Sequence, residues 1–454
     1  MPTFDTSTPA VLVRLDRNPF HHGTLGAVRS LGRAGIEVHA VIESPRSPVA
    51  RSRHLHAAHL RPPGEMDLAG MRRLLLTVSD AVGRPAVLIP LDDVSAIAAG
   101  HLRDGLAGRY LLPDQPSGLA EQVADKAELV AVCAALGVPH PRTAVPDSPD
   151  EAAAAVRSLG LPAIAKWSRP WLLPEGGGLR STRLLRSEAQ ARDLFARSAE
   201  AGSRLLVQEF LPPGRGLDWF FHGYAGRDAS CPVGATGRKE RSWPVDAGLT
   251  AVGRWLPNQA VESAARRVVA ALGYRGILDL DFRLDPGSGA YHLLDFNPRP
   301  GAQFRLFTDR SGLDVVRALH LDLTGRRVPT HEPAYGRSFV VENYALLSLA
   351  AALTEPGRDR PRPDAPAPAE GGRGAVPRRR AEAAWFAADD PRPAAAMAAA
   401  WTLHAARRVL PGAGAAGRAG RAAAPATPPH PRPGARRAAG AARPTGAGRT
   451  PSLP

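Results

Sequence analysis

Residues 277–285 (ILDLDFRLD) and 290–301 (AYHLLDFNPRPG) flank the turn Pro286-Gly287-Ser288-Gly289. Apolar and polar residues alternate on both sides of that turn, the signature of a β-hairpin with one face in a core and one face polar. Closing the loop at Asp285 and Tyr291 sets Asp281 opposite Asp295 and Asp279 opposite Asn297, all four on one face. Facing Cβ atoms in such a pair lie about 4.5–5.5 Å apart, where bare carboxylates repel. Acids that only met solvent would not interrupt runs so rich in Ile, Leu, Phe and Tyr. A hard divalent cation removes the repulsion, and two Asp oxygens with an Asn carbonyl form a magnesium-type donor set. Asp281, Asp295 and Asn297 are therefore the expected metal ligands.

Only three of the 58 basic residues are lysines: Lys126, Lys166 and Lys239. Lysine is a compact point charge on a flexible stem, suited to a single phosphate oxygen in a narrow site, whereas arginine is a planar fork. Lys166 ends the apolar strand LPAIAKW (161–167) and needs an anionic partner or a lowered pKa there. Gly176, Gly177 and Gly178 follow in a loop whose backbone N–H groups suit phosphates.

Residues 10–115 alternate strand and helix: PAVLVRL (9–15), a helix over 24–35, EVHAVIE (37–43), a helix over 67–82 and PAVLIPL (85–91). That order predicts a doubly wound parallel sheet with ligands at the strands' C-terminal ends. No G-x-G-x-x-G follows the first strand, so a nicotinamide or flavin site is unsupported. Arg14, Asp16, Asn18, His21 and His22 after that strand, and Asp92-Asp93 after the third, are secondary pocket candidates. Ser148-Pro149-Asp150-Glu151 reads as a capping box opening a helix to about Ser158. The stretch 242–250, with Trp243 and Trp255 about it, reads as a lid or as packing. The C-terminal half is expected to be α+β.

The formal net charge of +15 is uneven. Residues 355–454 hold 17 arginines and 7 acids among Ala, Pro and Gly, a composition that cannot bury enough apolar area to offset its ordering entropy. This tail is expected to be disordered filler rather than a nucleic-acid arm, because no aromatic residue follows Trp401 to stack on bases. Residues 381–410, with Trp385, Phe386, Met397, Trp401 and Leu403, are the exception and mark a helix docked on the body. Two cysteines, no secretory leader and no membrane-length apolar run make a cytoplasmic protein the expectation. The fourteen histidines show no H-x-x-x-H or Cys/His spacing, so no zinc centre is expected.

The ordered set resembles the ATP-grasp superfamily, specifically its carboxylate–amine ligase-like branch. The resemblance rests on Asp125-Lys126 opening a helix, Ala-Ile-Ala-Lys166 before a Gly loop, Val-Gln-Glu209-Phe-Leu-Pro-Pro-Gly, Gly237-Arg-Lys239, and Asp281 followed by Leu-Asp295-Phe-Asn297-Pro-Arg299-Pro-Gly301. It spans residues 10 to about 350 and implies a doubly wound domain (1–117) before two α+β subdomains (118–207 and 208–350) that clasp ATP, with the tail at 351–454. It implies that Lys126 and Lys166 touch the α- and β-phosphates and Lys239 the γ-phosphate. Glu209, with Phe210 and Leu211, would bind the adenine edge, and Asp218 the ribose. Asp281, Asp295 and Asn297 would hold magnesium, with manganese an acceptable substitute. Arg299 would stabilise the transferring phosphoryl group, and the Gly301 N–H would face an oxyanion. Asp279 stands where some relatives have arginine, which leaves Arg283 or Arg305 as a second oxyanion donor. The implied activity joins a small carboxylate to an amine with release of ADP and phosphate; a kinase-type or purely nucleotide-binding member is the alternative. No membrane or nucleic-acid partner is implied, and a homodimer is compatible with the reading.

Overall fold

Ala10–Val13 is completely buried, as a strand covered on both faces must be. It is β1, the centre of a five-stranded parallel sheet. The computed structural model describes residues 2–64, 66–174, 178–227, 230–244, 249–354 and 381–409. One compact unit runs from Met1 to Trp401; of a second, Thr402–Pro454, only 402–409 are described, all helical.

β2 (Val38–Ile42), β3 (Ala57–Leu60), β4 (Ala86–Pro90) and β5 (Tyr110–Leu111) complete the first sheet in the order β3-β2-β1-β4-β5. The order reverses between β1 and β4, the point beyond whose strand C-terminal ends ligands of such sheets gather. A second sheet, ordered β6-β9-β7-β8, is antiparallel and contains β6 (Thr143–Ala144), β7 (Ala163–Trp167), β8 (Thr182–Leu185) and β9 (Leu205–Glu209). Its apolar residues, Trp167 and Val207 among them, form a core of their own. The third sheet has seven strands: β10 (Asp218–Ala225), β11 (Val233–Trp243), β12 (Leu249–Trp255), β13 (Gly276–Leu284), β14 (Tyr291–Asn297), β15 (Ser338–Val340) and β16 (Ala381–Ala383). Their order is β14-β13-β10-β11-β12-β15-β16.

Leu12 and Leu25 share one buried cluster with Phe220, Trp255, Phe304 and Trp385, so the first and third sheets are fused through a common core. Trp255 is therefore packing, stacked on His331. Residues 249–255, partly read as lid, are a strand, and 245–248 lie outside the described residues. Ser148 caps the helix Pro149–Leu159 by accepting from Glu151 N, but the Glu151 carboxylate returns to Asp147 N rather than to the cap.

The exception made for residues 381–410 describes what is found, and only the tail boundary at residue 351 moves: residues 381–401 belong to the first unit, where β16 extends the large sheet in parallel to β15 and Trp385 is fully buried. Asp390 accepts from Arg29 Nε at 3.0 Å and Ser52 Oγ at 2.7 Å. The aromatic anchors and these pairs supply what the Ala/Arg/Pro average conceals. The expected helix is present as Arg392–Val409.

Candidate active site

β13 puts Leu278, Leu280 and Phe282 into a core with Phe296, and Asp279, Asp281 and Arg283 on the opposite face. Asp281 pairs with Asp295 across the hairpin, and Asp279 with Asn297. The loop closes differently from the expectation that led there. Leu284, not Asp285, faces Tyr291, because Asp285 belongs to the turn: its carboxylate accepts from Gly287 N and Ser288 N at 3.1 and 3.0 Å. A bulge beside Asp281 restores the pairing. The carbonyl of Leu294, the extra residue on β14, lies 3.4 Å from Lys166 Nζ.

Lys126, at the start of the helix Lys126–Leu136, and Lys166, in β7, converge on Asp295 from two different elements. Lys126 Nζ donates to Asp295 Oδ1, and Lys166 Nζ lies 3.4 Å from Oδ2. Burial disfavours a charged Asp295, but the two ammonium groups outweigh it and hold the carboxyl at about 2. Burial also works against Lys126, whose pKa Asp295 nevertheless raises; for Lys166 burial prevails and the pKa falls. Asp281 lacks such partners. Burial and then the charge of Asp279 push its carboxyl up to about 6, with Lys239 pulling the other way. Lys239 shares a strand face with Gly237, which pairs through Phe220 with Asp281.

Arg299 is held between two acids: Nη1 donates to Asp279 Oδ2 at 3.0 Å, and Nε lies 3.2 Å from Asp93 Oδ1. Burial opposes its charge, yet these carboxylates raise its pKa. His222, buried on β10, brings Nε2 to 3.0 Å from Asp279 Oδ1. Asn297 Nδ2 donates to the carbonyl and carboxylate of Asp279 at 3.2 and 3.3 Å, which leaves its Oδ1 as the acceptor. A Cβ on Gly301 would sit 2.2 Å from His222 Cε1 and 2.8 Å from Asp279 Cγ, so only glycine fits. Asp92 is a structural tie: Oδ2 accepts from Leu15 N and Asp16 N at 2.6 and 2.7 Å, and Oδ1 caps the next helix through Ser95 N. It joins the loops after β1 and β4. Arg14 lies 3.3 Å from Glu43 and 3.4 Å from Asp16, Asn18 accepts from Phe20 N, and His21 caps the first helix by accepting from Thr24 N.

Of the remaining sequence candidates, Asp218 and Leu211 meet Arg283 on the same face of β13. Arg283 Nε donates to Asp218 Oδ1 at 2.6 Å, and its Nη1 donates to the Leu211 carbonyl at 3.0 Å. Glu209 accepts from Arg142 N and Nε at 2.9 and 2.7 Å, and Phe210, half-buried, follows it. Gly178 adopts φ +71°, a left-handed conformation that favours glycine; Gly176 and Gly177 lie outside the described residues. Both residues offered as a second oxyanion donor have partners. Arg283 is committed as described, and Arg305 donates to Glu382 at 3.0 Å and Asp314 at 2.8 Å.

Sequence reading gave no role to His222 and only a weak one to Asp93. The signal for His222 was present: a polar residue interrupts the apolar run DWFFHGY, as Lys166 interrupts LPAIAKW. Around Asp281 and Asp295 the hairpin presents oxygen donors, and burial and the charge of Asp279 raise the Asp281 carboxyl, a combination that fits a hard divalent cation.

No family model matches the chain. It is 21% identical over 266 residues to a D-aspartate ligase of Enterococcus faecium (strain Aus0004), a match covering 55% of this chain and 61% of that protein. Among solved structures, it is similar to the biotin carboxylase domain of Hydrogenobacter thermophilus 2-oxoglutarate carboxylase, solved with MgADP and bicarbonate (TM-score 0.55, 18% identity, 72% of this chain and 73% of that one). It also resembles the N5-carboxyaminoimidazole ribonucleotide synthetase of Thermus thermophilus (0.51, 18%, 72% and 81%) and an L-amino acid ligase of Bacillus licheniformis (0.52, 13%, 70% and 75%). The chain has the ATP-grasp fold, which it shares with these solved structures.

Proposed function

We propose that the protein is an ATP- and magnesium-dependent ligase that activates a small carboxylate as an acyl phosphate and joins it to an amine. The observation that carries the reading is the convergence of Lys126 and Lys166 on Asp295, directly across the hairpin from Asp281. Two lysines from separate elements gathered on one carboxylate are a charge arrangement built for exchange: a triphosphate takes the ammonium groups, and a cation takes the carboxylates.

Asp281, Asp295 and the Asn297 carbonyl would hold magnesium, which neutralises charge on the phosphates when bound. Lys126, Lys166 and Lys239 would bind phosphate oxygens. Glu209, Phe210, Leu211 and Asp218 would line the nucleoside end, with Gly176, Gly177 and Gly178 over the phosphates. Adenine or ribose contact by Glu209 and Asp218 then requires Arg142 and Arg283 to share or release them. Arg299, fixed by Asp93 and Asp279, is poised to stabilise the phosphoryl group in flight. A substrate carboxylate oxygen attacks the γ-phosphorus, and the bond to ADP breaks. The amine then attacks the acyl carbon, phosphate leaves, and the amine nitrogen gives up a proton. The relatives named as D-aspartate and L-amino acid ligases support amino acids as the first substrates to try.

Asp295→Asn is expected to abolish magnesium-dependent ADP release in the presence of amino-acid pools, with at least about a hundredfold loss typical of removing such an electrostatic contact. Far-UV circular dichroism should stay unchanged. Normal turnover by the folded variant would reject the assignment.

A further inference from the structure

His39 is a buried imidazole in the otherwise apolar strand β2, and both of its nitrogens have partners. Nε2 is 2.9 Å from Glu37 Oε1, and Nδ1 is 3.0 Å from His59 Nε2 on the neighbouring strand β3. His56, just before β3, turns its Nε2 to 3.9 Å from the same Glu37 oxygen. The three atoms Glu37 Oε1, His39 Nε2 and His56 Nε2 lie within 4.8 Å of one another.

Hydrogen bonding accounts for His39 but not for His56, because 3.9 Å is too long for a hydrogen bond. It is close to the separation that two ligands take up around one ion: with bonds of about 2.0–2.1 Å in a tetrahedron, ligand atoms stand roughly 3.3–3.5 Å apart. The partners behind these ligands also suit an ion. Arg84 Nη2 donates to Glu37 Oε2 at 2.8 Å, which fixes the carboxylate and leaves Oε1 toward the imidazoles. With His39 Nε2 on a metal, Nδ1 carries the proton and donates to His59, the outer hydrogen bond that metal-bound histidines characteristically make.

We propose that Glu37, His39 and His56 form a binding site for a borderline divalent transition ion of the zinc class, with His59 and Arg84 as supporting partners. Two imidazoles and one carboxylate suit that class and not magnesium, which demands an oxygen shell. The site lies at the N-terminal ends of β2 and β3, whereas Arg14, Glu43, Asp92 and Asp93 gather at the C-terminal ends of this sheet. It would clip β2 to β3 and take no part in the ligase chemistry, so it stands or falls apart from the proposed function.

The test is calorimetric titration of zinc chloride into untagged, EDTA-stripped full-length protein in excess magnesium. One zinc ion per chain is expected, weakened about tenfold or more by Glu37→Gln and by His56→Ala, and unaltered by Asp281→Asn. His56 is largely exposed, its side chain 59% accessible, so its loss leaves folding intact even if a change at buried His39 does not. X-ray absorption should show two imidazole nitrogens and a carboxylate oxygen at about 2.0–2.1 Å. No zinc uptake, or affinity in the Glu37 and His56 variants equal to that of the unaltered protein, overturns the site.

Discussion

His22 opens the first helix with both ring nitrogens buried and, among the described residues, without hydrogen-bond partners, against Phe339, Tyr344 and Trp385. Burial pushes its pKa down to about 4, so it is neutral in the folded protein at pH 7. The unfolded chain, with an ordinary histidine near 6.5, binds the extra proton over the window from 6.5 down to 4. Stability contributed by this group is therefore present above 6.5 and is lost as pH falls through that window. His22→Phe keeps the aromatic packing and removes the unpaired nitrogens, which cost about 1–3 kcal/mol when buried. We expect the variant to be at least as stable as wild type at pH 7 and to gain on it steadily toward pH 4. Urea midpoints measured across that range check this, and parallel curves for the two proteins would contradict it. At the same scale Lys126 and Lys166 stood out in the sequence, as rare lysines and, for Lys166, as a charge in an apolar strand that demands a partner. Which partner was not legible: both meet Asp295 through folding, from positions 169 and 129 residues away in sequence.

Among the elements, the hairpin was readable because side-chain alternation has a period of two and a register error would send every acid into the core. The bulge was not readable, since nothing in the run YHLLDFN marks which leucine leaves the ladder. β16 is the opposite case. Its residues, Ala-Glu-Ala, carry no strand signal, yet Glu382 bonds Arg305 at 3.0 Å and Arg337 at 2.5 Å, and the next residues enter the core. Trp385 donates its backbone N–H to the Glu342 carboxylate at 3.0–3.1 Å and its indole N–H to Asn343 at 3.2 Å. Trp385→Ala should cost about 3–5 kcal/mol, in the range of buried aromatic truncations. Guanidinium denaturation measures it, and a loss under about 1 kcal/mol would show that this segment is not part of the core.

At the scale of the whole molecule, β16 and Trp385 close a core that already joins the parallel sheet to the large antiparallel one. Truncation after Arg380 is accordingly expected to destabilise the entire body, while truncation after Val409 leaves the melting temperature unchanged within about 2–3 °C, a shift worth about 1 kcal/mol. Thermal unfolding of the two shortened proteins decides between this and a dispensable C-terminal segment. Among the described residues no helix is long and apolar enough to cross a membrane. The face of the candidate site is assembled from all three sheets: Arg299 reaches Asp93 beyond β4, Lys166 arrives on β7, and the acids stand on β13 and β14.

Periodicity and local chemistry, which act over a few residues, were enough to establish the strand–helix alternation, the acid-bearing hairpin and the oddity of three lysines among so many arginines. Long-range packing decided the rest. It placed His222 behind Asp279, left no room for a side chain at Gly301, drew residues 381–401 into the body and set Glu37 beside histidines from two strands. Those outcomes depend on the sum of contacts between segments remote in sequence, and no window along the chain contains that sum.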